Sequence, residues 1–252
     1  MVHEDGLIKT VKFKDPKYVG DPINAVKIFN EKEADELIVL DIDATVQRRE
    51  PNFRLIEQLA AECRMPLCYG GGVRTVEHAN RIIGLGVEKV ALSAAVVEDP
   101  ALISRIAAEI GSQSVVVVLD VKTNLFGKQE VWTHNGRKNS GKSPVEIAKE
   151  AECLGAGEVV INSIDRDGEM NGYDLKLARK VREATRLPMS VLGGAGSLED
   201  IGALIKECGV VGASAGSLFV FKGQYRAVLI SYPTFEQKDS LVRKTLPVAT
   251  FE

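Results

Sequence analysis

The sequence predicts an α/β protein, a barrel of parallel strands assembled from two equivalent halves. Three observations carry this. A glycine cluster after an apolar run occurs twice, as Gly70-Gly71-Gly72 and as Gly193-Gly194-Ala195-Gly196, and a small-residue strand end follows each, Ser93-Ala94-Ala95 and Ala215-Gly216-Ser217. Aspartate-tipped runs precede both, Asp41-Ile42-Asp43 and Asp165-Arg166-Asp167-Gly168, and all three features repeat at an offset of about 124 residues, the mark of a duplicated half-barrel rather than a short solenoid unit. Strand-like runs alternate with amphipathic helical patterns, as in a parallel α/β sheet. The 252 residues match the roughly 250 of one such barrel. The predicted fold is therefore a (β/α)8 TIM barrel of two (βα)4 half-barrels. It forms a single domain over residues 1–239, followed by a polar, poorly ordered tail over 240–252.

Seven barrel strands are predicted, at 37–41, 66–70, 89–92, 115–120, 158–162, 188–192 and 211–213. Their near-continuous apolar character suits strands covered on both faces. Helix starts are read at Asp21-Pro22, Asp99-Pro100 and Ser143-Pro144, where a capping side chain precedes a proline at the first helical position. Helix ends are read at Gly84 or Gly86, Gly111, Gly155 and Gly209. Residues 122–142 form an excursion after the 115–120 strand, with Asn135-Gly136 and Ser140-Gly141 marking a hairpin or lid. Residues 7–13 alternate apolar and polar and suit a small hairpin. The first barrel strand has no counterpart, because the chain begins where the loop after it belongs. Either the start codon is set too far downstream or the barrel is truncated; the first reading is preferred, since an open parallel sheet has two unpaired edges.

The bulk numbers narrow the function. A chain that is 45% hydrophobic and 27% charged has the makings of a globular core. Its formal charge of −3 lacks the basic footprint of a nucleic-acid binder. No apolar run approaches a membrane span, and the N-terminus has no signal-peptide pattern, so a cytoplasmic enzyme is expected. Cys63, Cys68, Cys153 and Cys208 form no C-x-x-C pair, and His3, His78 and His134 are scattered. Reduced thiols and no metal or cofactor are expected.

Polar residues at the C-terminal ends of barrel strands line the active site. Asp120 ends such a strand and is read as a general acid or base; the plainer alternative is a loop cap or a partner for Lys122. Glycine loops at helix N-termini cradle anions. Gly71, Gly72, Ser93 and Ala94 are expected to hold one phosphate. Asp167, Gly168, Gly193, Gly194, Gly196, Gly216 and Ser217 are expected to hold another, Asp167 and Gly168 through backbone N–H groups. Two cradles suit a substrate with a phosphate at each end. Glu36, Lys89 and Glu158 stand at strand starts, which converge at the bottom of the barrel; three alternating charges there suit a buried ring, but on residues alone the plainer reading, solvated charges, prevails. Trp132 reads as a packing residue of the lid. Tyr173 reads as loop packing or, alternatively, as a substrate contact.

These residues together resemble the HisF family, the cyclase (synthase) subunit of imidazole glycerol phosphate synthase. The resemblance runs from about Lys9 to about Pro233 and is densest at Gly20-Asp21-Pro22, Asp35-Glu36-Leu37, Tyr69-Gly70-Gly71-Gly72-Val73, Gly111-Ser112-Gln113-Ser114, Gly155-Ala156-Gly157-Glu158, Ser163-Ile164-Asp165-Arg166-Asp167-Gly168 and Gly193-Gly194-Ala195-Gly196. It implies a lyase subunit of histidine biosynthesis that receives ammonia from a HisH-like glutaminase docked on the bottom of the barrel. Asp120 then matches one of two catalytic aspartates. Lys9 matches a substrate-side lysine of the mobile first loop, and Asp41 a substrate-side carboxylate. Glu36, Lys89 and Glu158 match three of four charges gating the ammonia entrance. This overturns their solvated reading; the fourth charge, an arginine on the first strand, is absent. The other catalytic aspartate aligns with Met1.

Further departures are Asp41-Ile42-Asp43-Ala44-Thr45 where Asp-Ile-Thr-Ala-Ser is usual, and Ser93-Ala94 in place of Asn-Thr. Lys12-Phe13-Lys14-Asp15-Pro16-Lys17-Tyr18-Val19-Gly20 also differs from the usual first loop. In these respects the chain is similar to second-copy HisF-like proteins of surface-polysaccharide (O-antigen, lipopolysaccharide) clusters, which implies ammonia delivery to a sugar to form an acetamidino group. Three roles follow: a histidine-pathway synthase, a surface-sugar synthase, and a barrel that only docks and activates the glutaminase.

Overall fold

The computed structural model describes residues 1–246. Seven parallel strands form one curled sheet: β4 (Leu37–Leu40), β5 (Leu67–Gly70), β6 (Lys89–Leu92), β7 (Val115–Thr123), β10 (Glu158–Ser163), β11 (Met189–Leu192) and β12 (Gly212–Ala213), in spatial order β12-β11-β10-β7-β6-β5-β4. All seven predicted strands are present. Strands preceding them, β1 (Val2–His3), β2 (Gly6–Val11) and β3 (Lys14–Gly20), make an antiparallel sheet, a larger structure than the hairpin expected over 7–13. β8 (Gln129–Thr133) and β9 (Lys138–Asn139) continue β7 antiparallel, which is the expected hairpin of 122–142. A small ribbon of β13 (Phe221–Lys222) and β14 (Ala227–Val228) had no signal in the sequence.

Helices α1 (Pro22–Glu31), α2 (Ile42–Val46), α3 (Phe53–Glu62), α4 (Val76–Gly84), α5 (Ala94–Glu98), α6 (Leu102–Ile110), α7 (Pro144–Cys153), α8 (Leu175–Ala184), α9 (Leu198–Cys208), α10 (Ser217–Val220) and α11 (Phe235–Thr245) occupy the connections. Asp21 and Ser143 cap α1 and α7 as predicted. Asp99-Pro100 does not open a helix directly: it forms a turn, and α6 begins at Leu102. The predicted tail boundary at 240 falls inside α11, which packs near α9 and starts with a Thr234–Gln237 capping box. Residues 247–252 of that tail lie outside the described residues.

Alternation along the strands separates two apolar layers. Val90, Val117, Leu119, Val159, Ile161 and their neighbours face the helices and make the main core. Cys68, Ala91, Val116, Val118 and Val160 face inward, with Ile38, Leu40 and Leu192 against them, and fill the barrel.

β4 and β12 are the outer strands of the sheet and do not pair with each other among the described residues. Between them lies a cavity of about 710 Å³ whose walls include Ile38, Leu40, Ile201 and Leu192. Val2 reaches its upper end and makes a single parallel bridge to Asp41. The slot is where the sequence places the uncounted first strand. Among the described residues no helix is long and apolar enough to cross a membrane.

Candidate functional site

At the C-terminal ends of the strands the second half sets Asp120 on β7 in register with Asn162 on β10. Asn162 Nδ2 donates to Asp120 Oδ1 at 2.8 Å. Burial raises the Asp120 carboxyl, the Asn162 hydrogen bond opposes this, and the Asp167 charge adds to it; the net effect pushes it up to about 6. A carboxyl with that affinity is ionised at neutral pH yet close enough to it to accept and release a proton. Lys122 is not its partner: the Lys122 ammonium lies 4.9 Å from the Trp132 ring centroid, a cation–π contact within the hairpin. The sequence reading missed Asn162; its signal was the pairing register of the two strands.

The glycines of the two cradles are required by close approach. A Cβ on Gly71, at φ +125°, would lie 2.4 Å from the Asp41 carbonyl oxygen, and one on Gly194, at φ +114°, 2.2 Å from that of Gly172. Both positions therefore exclude any side chain. Among the described residues eight helices carry a side-chain N-cap. α5 and α10, led by Ser93 and Gly216, have none, and neither does α6, led by Ala101. Uncapped N-termini at the two repeat-related positions leave amide donors for an anion.

Other predicted cradle members are engaged elsewhere. The Gly196 N–H donates to Asp200 Oδ2 at 2.9 Å, within the capping box of α9. Asp167 does not offer its N–H, which donates to the Ile164 carbonyl. Its carboxylate accepts from Thr10 Oγ1 at 2.6 Å and anchors the β2–β3 hairpin. Gly193 packs over Ser163 and Asn162, and Gly168 over Thr10. Gly72 N–H meets Thr45 Oγ1 at 3.4 Å. Ala94 and Ser217 are buried at the starts of α5 and α10.

Lys9 extends from β2 into this mouth, against Gly216, where a Cβ would collide with its Nζ. Burial lowers its affinity for a proton, with the Asp167 charge opposing. Asp41 is buried and accepts from the Asp43 and Ala44 amides at 2.9 and 3.0 Å, capping α2. Tyr173 packs: its hydroxyl donates to the Ser214 carbonyl at 2.9 Å.

At the opposite end of the strands, Lys89 Nζ lies 2.9 Å from both Glu36 Oε1 and Glu158 Oε2. Ser190 Oγ donates to Glu158 Oε1 at 2.7 Å. Burial works against the Lys89 charge, but the hydrogen bonds to Glu158 and Glu36 outweigh it and hold the ammonium above its ordinary range. The three charges are therefore one cluster, the arrangement that the residues offered as the lesser alternative to solvated charges. Above it lie the apolar inward side chains of Ala91, Val116, Val118 and Val160, with Cys68 and Ser190, up to Asp120 and Asn162.

The model of the family described as "Histidine biosynthesis protein" matches residues 5–226. The chain is 53% identical over 242 residues to "Putative imidazole glycerol phosphate synthase subunit HisF" of Leptospira borgpetersenii, covering 96% of this chain and 95% of that protein. It is 56% identical over 239 residues to "Putative imidazole glycerol phosphate synthase subunit hisF3" of Vibrio vulnificus (94% and 92% covered). It is 41% identical over 220 residues to "Imidazole glycerol phosphate synthase subunit HisF" of Hyphomonas neptunium (87% of each). The chain belongs to the HisF family, whose members include second-copy paralogues.

Proposed function

We propose that this HisF-family chain is the synthase subunit of a glutamine amidotransferase, taking ammonia from a glutaminase partner and adding it to a phosphate-bearing acceptor at the mouth of the barrel. The observation that carries this is the Glu36–Lys89–Glu158 cluster at one end of an apolar interior whose other end is Asp120. An ion cluster ringing the strand starts is costly to bury unless paired, and here all three members are paired. An apolar bore passes neutral ammonia and disfavours ammonium. Asp120 then removes the proton that the attacking nitrogen must lose.

Two acceptors fit. One is the two-phosphate precursor of imidazole glycerol phosphate. The other is a nucleotide-linked N-acetyl sugar, whose amide would become an acetamidino group. The second is favoured by Ser93-Ala94, Asp43 and the first loop, and by the higher identity to the Vibrio subunit numbered hisF3 than to the Hyphomonas subunit.

The test is a complex of this chain with a HisH-like glutaminase from the same source, supplied with glutamine and either acceptor. Turnover of one acceptor, coupled to glutamine hydrolysis, is expected. Lys89→Ala is expected to keep hydrolysis and lose about tenfold in product per glutamine, an uncoupling of about 1.4 kcal/mol. Hydrolysis stimulated with neither acceptor consumed would make the chain a docking barrel only.

A further inference from the structure

The mouth of the first half holds a pair of side chains that the proposed reaction, as given, does not use. His3 Nδ1 lies 2.8 Å from Asp43 Oδ1. The second oxygen of Asp43 accepts the Glu4 N–H at 3.0 Å. Asp43 is buried, whereas the His3 side chain is 35% exposed. Its Nε2 makes no hydrogen bond among the described residues. A carboxylate on Nδ1 fixes the ring's orientation and tautomer and leaves Nε2 to exchange protons.

Two further facts converge on this contact. Asp43 stands where the HisF resemblance has threonine, and Met1, two residues before His3, stands where it has an aspartate. Asp43 is thus hydrogen-bonded, across 40 positions of sequence, to a residue that stands two places from the other departure. In addition, Glu4 and Asp5, the turn between β1 and β2, both have left-handed backbones, with φ of 47° and 62°. Such a two-residue turn prefers Asn-Gly. Its strain is offset here by the Glu4 N–H bond to Asp43, and strain of this kind gathers at functional sites.

We propose that His3, oriented by Asp43, is the proton-transfer group of the first half of the mouth, in the role that the resemblance gives to the aspartate at position 1. This rests on the ammonia-accepting reading above. The ammonia nitrogen forms the C–N bond to a polarised C=X carbon of the acceptor, the π pair moves to X, and X takes the proton from His3 Nε2. The new ammonium centre gives one proton to the Asp120 carboxylate. His3 ends neutral and Asp120 protonated, and exchange with water resets both. The groups facing His3 suit the acid role. The hydrogen bond to Asp43 raises its affinity for a proton, burial opposes this, and the charges of Asp43, Glu4 and Asp41 add to it. Arg49 Nη2 lies 3.9 Å from Asp41 Oδ1 on the same side.

The experiment uses the glutaminase complex and both acceptors named above, with ammonium chloride as an alternative nitrogen source. His3→Gln is expected to lower turnover by at least a hundredfold while the complex still co-purifies and melts near the parent temperature. His3→Gly is expected to regain part of that loss when free imidazole is added, which a purely structural histidine would not allow. Asp43→Asn is expected to move the alkaline limb of the pH profile to lower pH. Parent-like turnover in His3→Gln, or no imidazole rescue of a folded His3→Gly, would overturn the role of His3 and leave the ammonia reading standing. No turnover of either acceptor by the parent complex would overturn both.

Discussion

At the end of the second half, β7 and β10 set Asp120 against Asn162 beneath a hairpin. At the end of the first, β4 leads into Asp41 and Asp43, with His3 leaning in from a separate small sheet. The supports are alike. Both halves need a glycine where backbone passes backbone, and both lead a short helix with no side-chain cap. The chemistry placed on them differs. The second half holds its carboxyl by neighbouring strands of one sheet, a rigid mounting. The first half assembles its polar pair from a turn and a five-residue helix beside an open slot. Duplication therefore preserved the geometry of the frame and left the groups on it free to diverge.

The harshest way to break this comparison is to remove the second half's proton carrier. Asp120→Asn keeps the size and the strand and is expected to cut acceptor turnover by about 10²–10⁴-fold, while the glutaminase still co-purifies. Loss of docking in that variant would place Asp120 outside the mouth chemistry.

A second test asks whether the frames are equivalent. Gly71→Ala and Gly194→Ala each push a methyl into a carbonyl oxygen at left-handed φ. Both are expected to lose about 2–4 kcal/mol, read as similar drops in thermal midpoint. A much smaller loss at Gly71 would show that the open first half yields where the second cannot.

The gentlest test uses pH. The Asp120 carboxyl is raised by burial from 3.8 to about 6, so the native state holds its proton more tightly than the unfolded chain. The stability from this group is full below about pH 4 and is lost as pH rises through about 6. At pH 7 the half-buried carboxylate destabilises the fold by up to about 3 kcal/mol. Asp120→Asn should therefore melt higher than the parent at pH 7, with the difference vanishing near pH 4. A constant difference across that range would mean the carboxyl is not desolvated.

Much of the frame was legible in the residues. The seven strands announce themselves as apolar runs, and Asp21-Pro22 and Ser143-Pro144 mark helix starts by local stereochemistry alone. Asp99-Pro100 misled because the same dipeptide also suits a turn. Thr234 and Gln237 spell a capping box, but the polar composition that follows outweighed it, so an amphipathic surface helix was read as a tail. The paired state of Glu36, Lys89 and Glu158 depends on the register of non-adjacent strands, which no local pattern encodes. The site residues divide in the same way. Asp120 is legible as a candidate because a carboxylate ending an apolar strand is unusual. The engagement of Gly196 by Asp200, of Asp167 by Thr10, and of His3 by Asp43 all arise from contacts between segments.

Cys68 sits in the barrel interior with no exposed surface, and burial pushes its thiol far above the ordinary range, with Glu36 and Glu158 adding to the effect. It is inert to alkylating reagents while the strands stay closed around it, whereas Cys153 on α7 is exposed. The pair makes the molecule its own stopwatch. Labelling of Cys153 times the reagent, and labelling of Cys68 times how often the bore opens. Recorded with and without a docked glutaminase, the ratio would count the opening events directly, with no probe added to the protein.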